Sequence, residues 1–262
     1  MNDYTTNQWI ITKYPAGAGG KFITALLFLF DQVEHWYGLQ GHQEQFNFFK
    51  QRLEQKNTWI NKELNHDWRL NFFSRSYERN NNLRCAEFND LVELNASTHF
   101  KDSWHAGKTI VDHWHKPYMP EFWQAANSFT IIPDDVDLLK QLLLKKIIIV
   151  DPVNKIATCA VDDPGLATDS NKYYAETYNN KYKFEYVDID LFLTEFLATK
   201  PWYHSWFSNP VTSTWGIKLS NLTDLSQVIK SIEPIEDHFN QKLPRDLIKL
   251  FHTCWMEHSF DN

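Results

Sequence analysis

The stretch Trp9–Phe30, WIITKYPAGAGGKFITALLFLF, decides how the rest of the chain is read. A short apolar run stops at Tyr14-Pro15. Three of the chain's eight glycines then crowd into Gly17–Gly20, Lys21 follows, and a longer apolar run opens at Phe22. Trp9–Lys13 reads as a short buried strand, and Phe22 to roughly Phe30 as the start of a buried helix. A strand, a glycine-rich turn and a helix in succession make a receptor for a tetrahedral anion. Backbone N–H groups of the turn and of the helix start converge on one spot, and the helix dipole favours negative charge there. Glycine supplies the positive φ values and lets a ligand's oxygens approach the backbone. Lys21 adds a full positive charge. Pro15, Gly17, Ala18, Gly19, Gly20, Lys21 and Phe22 are therefore the first candidate site residues.

Outward from this stretch, strand and helix patterns alternate. Lys108–Trp114 (KTIVDHW) reads as a buried strand ended by Pro117 and Pro120. Ser128–Ile132 reads as a strand, Pro133-Asp134 as a helix start, and Val136–Lys145 as a helix with leucines at helical spacing. Lys146–Val150 (KIIIV) is a β-branched run with the character of an interior parallel strand, and the sequence after it reads as a helix. KFEYVDID with a helix from about Leu191, WGIKLS with a helix through DLSQVIKSI, and a final helix in PRDLIKLFHTCWMEHSF complete the series. Between the first strand and Lys108, Gln43–Asn65 reads as an amphipathic helix and the segment from Ser74 as an irregular connection. The expected architecture is one α/β domain over residues 1–262, a P-loop-type three-layer sandwich. A central, mainly parallel sheet is flanked by helices, with a helical insertion around 35–105.

Composition sets the limits. The chain has 262 residues, 43% apolar and 16% aromatic, enough for a sizeable core. The net charge of -7 argues against a large nucleic-acid footprint. Cys85, Cys159 and Cys254 are odd in number and widely spaced, as expected of reduced thiols in a cytoplasmic protein. No apolar run reaches the ~20 residues that a membrane-spanning helix needs, so neither membrane nor nucleic acid is an expected partner.

The loop departs from the nucleotide-binding pattern G-x-x-x-x-G-K-[ST]. Pro15 stands at the first glycine and Phe22 at the hydroxyl residue that holds Mg²⁺, with Thr24 the nearest substitute. YPAGAGGKF instead resembles the 5'-phosphosulfate loop of the sulfotransferase family, commonly YPKSGTTWL. Tyr14-Pro15 match its opening, and Gly17–Lys21 occupy the cradling turn. KKIIIVDPVNKIATCAV resembles the same family's 3'-phosphate strand and helix, commonly KIIYVVRDPRDVAVSYY. Asp151-Pro152 align with its DP, and Thr158 falls at the serine that binds the 3'-phosphate. Val150 stands where the family carries arginine, with Lys145, Lys146, Lys155 or Arg75, Arg79 and Arg84 as replacement cations. The resemblance implies binding of 3'-phosphoadenosine 5'-phosphosulfate (PAPS) and transfer of its sulfuryl group to a hydroxyl or amine of a small-molecule or peptide acceptor.

VDHWHKPYMP (Val111–Pro120) lies between the two motifs, where cytosolic members of that family carry a catalytic histidine. His115-Lys116-Pro117 fit the H-x-P spacing, and His113 is the rival. A neutral imidazole is a suitable base for the acceptor's proton, and Lys21 with the loop amides suits charge on the transferred group. No metal is expected. His99 and His105 are unanchored, and His252, Cys254 and His258 read as one face of a packed helix. Two other function classes stay open. KIIIVD also fits the acid-terminated strand of a Mg-ATP-dependent kinase or hydrolase, with Asp151 as the metal's acid. A non-enzymatic interaction module on the same scaffold is the third.

Overall fold

The structure is a computed structural model that describes residues 8–27, 29–35, 109–119, 121–159, 173–176, 181–199, 201–208 and 211–260. The expected insertion around 35–105, the Gln43–Asn65 helix, the segment from Ser74, and Arg75, Arg79, Arg84, Cys85, His99 and His105 lie outside these residues.

Strand β1 (Trp9–Lys13) is buried along its whole length and forms the middle of a parallel sheet. Its neighbours are β3 (Thr109–Trp114) and β4 (Asn127–Ile132), with β2 (Val33–His35) outside β3 and β9 (Trp215–Lys218) outside β4. The order is β2-β3-β1-β4-β9, and every pairing is parallel. A strand walled in on both sides must be largely apolar on both faces, and Trp9, Ile10 and Ile11 meet that demand while Thr12 and Lys13 are buried polar residues. Thr12 faces helix α1 (Gly20–Leu27), where its hydroxyl lies 3.5 Å from that of Thr24. Trp9 faces the other way, edge-on to Trp123 in the short 3-10 turn Glu121–Ala125.

Helix α1 presents Phe22, Ile23, Leu26 and Leu27 to the core, all fully buried. Helix α2 (Val136–Leu144) starts where Pro133-Asp134 predicts: Asp135 is its N-cap and accepts from the Leu138 amide at 2.9 Å, while Leu139, Leu142 and Leu143 point inward. Helices α3 (Ile189–Thr199), α4 (Pro201–Ser208), α5 (Leu225–Phe239) and α6 (Arg245–Phe260) follow. The last packs on α1, Trp255 stacking on Phe22 with ring centroids 5.1 Å apart. Among the described residues no helix is long and apolar enough to cross a membrane.

One expectation fails here. The run from Lys146 to Val150 is not an interior parallel strand among the described residues, and a turn and the strand Ile156–Cys159 follow it in place of the start of a helix. β5 (Ile147–Asp151) lies at the end of a second, antiparallel sheet of order β5-β6-β8-β7, with β6 (Ile156–Cys159), β8 (Lys181–Glu185) and β7 (Tyr173–Glu176). The chain reverses between β5 and β6. Asp151 Oδ1 accepts from the amides of Val153 at 2.9 Å and Asn154 at 3.0 Å, and Lys155 takes a left-handed φ of 57°. Asp-Pro followed by Asn is turn chemistry. A β-branched run alone does not say which kind of sheet it enters.

Candidate active site around the glycine loop

The parallel sheet fixes where the loop can be. From β1 the chain steps outward to β2, returns to β3, and crosses β1 to reach β4. The order of strands thus reverses direction at β1, and the crevice beyond the carboxyl end of a strand at such a point is the usual ligand site of open α/β sheets. Tyr14–Gly19 leave β1 at that end and deliver the chain to α1.

Within the loop, Pro15 accepts from the Ala18 amide at 3.0 Å, and the Gly19 carbonyl accepts from Phe22 at 3.0 Å and Ile23 at 3.4 Å. Gly17 and Gly19 have φ of 87° and 78°, both left-handed, on either side of Ala18. Among the described residues their amides meet no acceptor. Backbone that alternates hand in this way gathers N–H groups into a concave nest for an anion. Gly20 and Lys21 are the first two residues of α1, whose first-turn amides have no partner inside the helix.

The glycines also serve packing. A Cβ on Gly20 would lie 2.0–2.2 Å from the Tyr14 ring, one on Gly17 would lie 2.6 Å from Leu143 Cδ2, and one on Gly19 would lie 3.1 Å from Trp255 Cζ2. Tyr14, Pro15 and Ala18 are buried. Tyr203 on α4 ties the loop from outside, its hydroxyl donating to the Ala16 carbonyl at 2.8 Å. The loop is thus held in shape by Tyr14, Leu143, Tyr203 and Trp255.

His115 stands beside it. β3 pairs with β1 so that Trp114 lies opposite Lys13, and the next residue on each strand, His115 and Tyr14, meet. The imidazole lies edge-on to the Tyr14 ring, with centroids 4.9 Å apart, and its Nδ1 lies 3.3 Å from the Tyr14 carbonyl. A carbonyl can only accept, so Nδ1 carries the hydrogen in that contact and a neutral ring keeps its lone pair on Nε2. Trp206 on α4 donates to the His115 carbonyl at 3.0 Å. His113 lies within β3, in register with Thr12.

The other sequence candidates fall elsewhere. Asp151 sits in the exposed β5–β6 turn, where hydrogen bonds from Asn154 and Val153 hold its carboxyl below the ordinary carboxylate range. Thr158 is buried in β6, paired with Ile148 and Lys183. Neither occupies a strand-to-helix turn, and neither belongs to the sheet that carries the loop. The strand–turn–helix unit beside β1 is β4–α2, and its turn carries Asp134, which accepts from the amide and hydroxyl of Ser220 at 3.0 and 2.6 Å. Phe22 is sealed against Trp255, and Thr24 turns its hydroxyl back to the Gly20 carbonyl at 3.0 Å. His252 is a core histidine on α6, its Nε2 2.9 Å from the Leu222 carbonyl, and burial lowers its pKa. Among the described residues no cluster of three His, Cys, Asp or Glu side chains could hold a metal.

Lys13 escapes a sequence reading. This last residue of β1 is 4% exposed, its Nζ donates to the carbonyl of Thr212, and burial pushes its pKa down to about 8. Among the described residues no carboxylate pairs with it. Tyr203, Trp206 and Trp255 were equally hidden, because eleven tryptophans and eleven tyrosines give no way to choose among them.

No family model, curated protein or solved structure matches the chain.

Proposed function

We propose that the chain is a divergent sulfotransferase-like enzyme of P-loop type that takes PAPS and passes its sulfuryl group to a hydroxyl or amine. The observation that carries this reading is the meeting of the glycine loop and His115 at the carboxyl ends of the adjacent strands β1 and β3. In this reading the amides of Gly17, Gly19 and Gly20 receive the 5'-phosphosulfate and Lys21 neutralises charge on the group in transit. The Nε2 lone pair of His115 takes the acceptor's proton as the new bond to sulfur forms and the bond to the phosphate oxygen breaks. The support is local. It comes from the loop and histidine, whereas Asp151 and Thr158 add nothing to a 3'-phosphate site.

Against a Mg-ATP reading stand Phe22 and Thr24, which are turned away, and Asp151, which lies outside the parallel sheet. A binding module on a sulfotransferase-type scaffold is favoured over it by the hairpin position of Asp151 and Thr158. Calorimetric titration with 3',5'-adenosine bisphosphate in the absence of Mg²⁺ separates these readings. Saturable binding that Lys21→Ala abolishes without unfolding the protein is expected. Binding of ATP that requires Mg²⁺ would instead support a kinase, and binding of neither nucleotide by the folded protein would leave the module.

A further inference from the structure

Lys13 and Thr130 share one row of the parallel sheet. They lie opposite each other in the β1–β4 register, so their side chains point to the same face. Thr12 faces α1, which turns this row to the other side of the sheet. There Lys13 is 4% and Thr130 0% exposed. Both keep donors to spare. An ammonium has three hydrogens, and Lys13 gives one to the Thr212 carbonyl. The Thr130 hydroxyl meets no partner among the described residues. No carboxylate there pairs with Lys13, and burial pushes its pKa down to about 8. Buried charges are as a rule paired, and buried polar groups hydrogen-bonded. Water answers the hydrogens but not the charge. An anion answers both.

We propose that Lys13 and Thr130 form a binding site for a small monovalent anion of chloride size, held between the ammonium and the hydroxyl. One positive charge sets the valence, and the cover sets the size. Residues 211–214 lie over the row. The Thr212 carbonyl takes Lys13, and Thr214 exchanges hydrogen bonds with Ser128 at 3.1 and 3.4 Å, two residues before Thr130 on the same face of β4. With both groups sealed beneath this segment, an ion of one atom asks for less room than a carboxylate or a phosphate. Thr212, Ser213 and Thr214 are exposed, and the bonds that hold the segment to the row are hydrogen bonds, so it is the way in. The glycine nest belongs to the start of α1, across the strand, and this inference does not rest on the function proposed above.

Thermal unfolding of the full chain in sodium chloride, against sodium gluconate at equal ionic strength, tests it. Gluconate is larger than the site takes and serves as the reference. Chloride should raise the midpoint above that reference, by roughly 2–4 °C once its concentration is about five times its dissociation constant. Lys13→Met should lose the chloride response, and Lys21→Ala, which alters only the glycine nest, should keep it. Thr130→Val removes one hydrogen bond to the anion and should weaken chloride about 10- to 150-fold. If Lys13→Met does not fold, the threonine variant decides. Equal midpoints in the two salts overturn the proposal and leave both groups to water. A response that survives in Lys13→Met or in Thr130→Val, or that vanishes in Lys21→Ala, also overturns it, because the ion then sits elsewhere.

Discussion

Gly20 carries two burdens at one atom. Its amide belongs to the first turn of α1, where the residue is buried, and its Cα lies under the Tyr14 ring that also bears on His115. Gly20→Ala must push that ring aside, an overpacking expected to cost about 1–3 kcal/mol of stability. Gly17→Ala meets only the flexible end of Leu143, but it forces a Cβ into a left-handed backbone at a further ~1–2 kcal/mol. Urea denaturation of both variants measures these losses, and stability equal to wild type would mean the loop is not packed as described. Lys13 makes a different demand. Its pKa falls from the usual 10.5 to about 8 in the folded state. The unfolded chain therefore holds one more proton between pH 8 and 10.5, and stability rises with pH across that window. Below pH 8 the full cost of the buried cation is present. Lys13→Met removes that cost, so it should match or exceed wild-type stability at pH 7. The advantage should shrink by up to about 1.4 kcal/mol per pH unit above pH 8, as paired denaturation curves would show. The glycines were legible because a turn chemistry is local. Lys13 was not, because its partner Thr212 lies 199 residues away.

Among the elements, those with local punctuation read true. α2 has its Asp135 cap, α5 ends on the left-handed Asn240, and β1 and β4 are short apolar runs bounded by Pro15 and Pro133. β5 read falsely because burial on two faces was inferred from composition, whereas exposure depends on what the rest of the fold brings to it. The joint between α5 and α6 shows a further device that no motif announces. Glu236, fully buried on α5, accepts from the Leu243 amide at 2.8 Å and from both terminal nitrogens of Arg245 at 2.7 and 2.9 Å. Removing one partner of such a pair strands a buried charge. Arg245 is partly exposed and Lys242 also reaches Glu236 at 3.4 Å, so Arg245→Ala should cost about 3 kcal/mol, low for the loss of a buried charge's partner. Lys242 is mostly exposed and pairs with Asp237 at 2.8 Å as well as with Glu236, so Lys242→Ala should cost about 1 kcal/mol, less than loss of the arginine. Thermal unfolding of the two variants tests the contrast; equal losses would show that the buried carboxylate does not depend on the arginine.

For the whole molecule, a parallel sheet whose strand order turns back at β1 brings together residues that the sequence separates by a hundred positions. His115 reaches Tyr14 only because β3 lies against β1 in that register. The strand–loop–helix unit was legible, whereas the contact that sets His115 beside it was not. The second motif was not, because Asp151 and Thr158 sit on a separate antiparallel sheet whose existence no periodicity announced. The account's central claim is that the amides of Gly17, Gly19 and Gly20 form a nest for a tetrahedral anion. Nitrogen-15 NMR on the folded protein, titrated with sulfate and then with 3',5'-adenosine bisphosphate, addresses those amides one by one. The account predicts saturable shifts concentrated at Gly17, Gly19 and Gly20, tighter for the nucleotide and lost in Lys21→Ala. Glycine signals that stay fixed while the protein is saturated with either anion would contradict it.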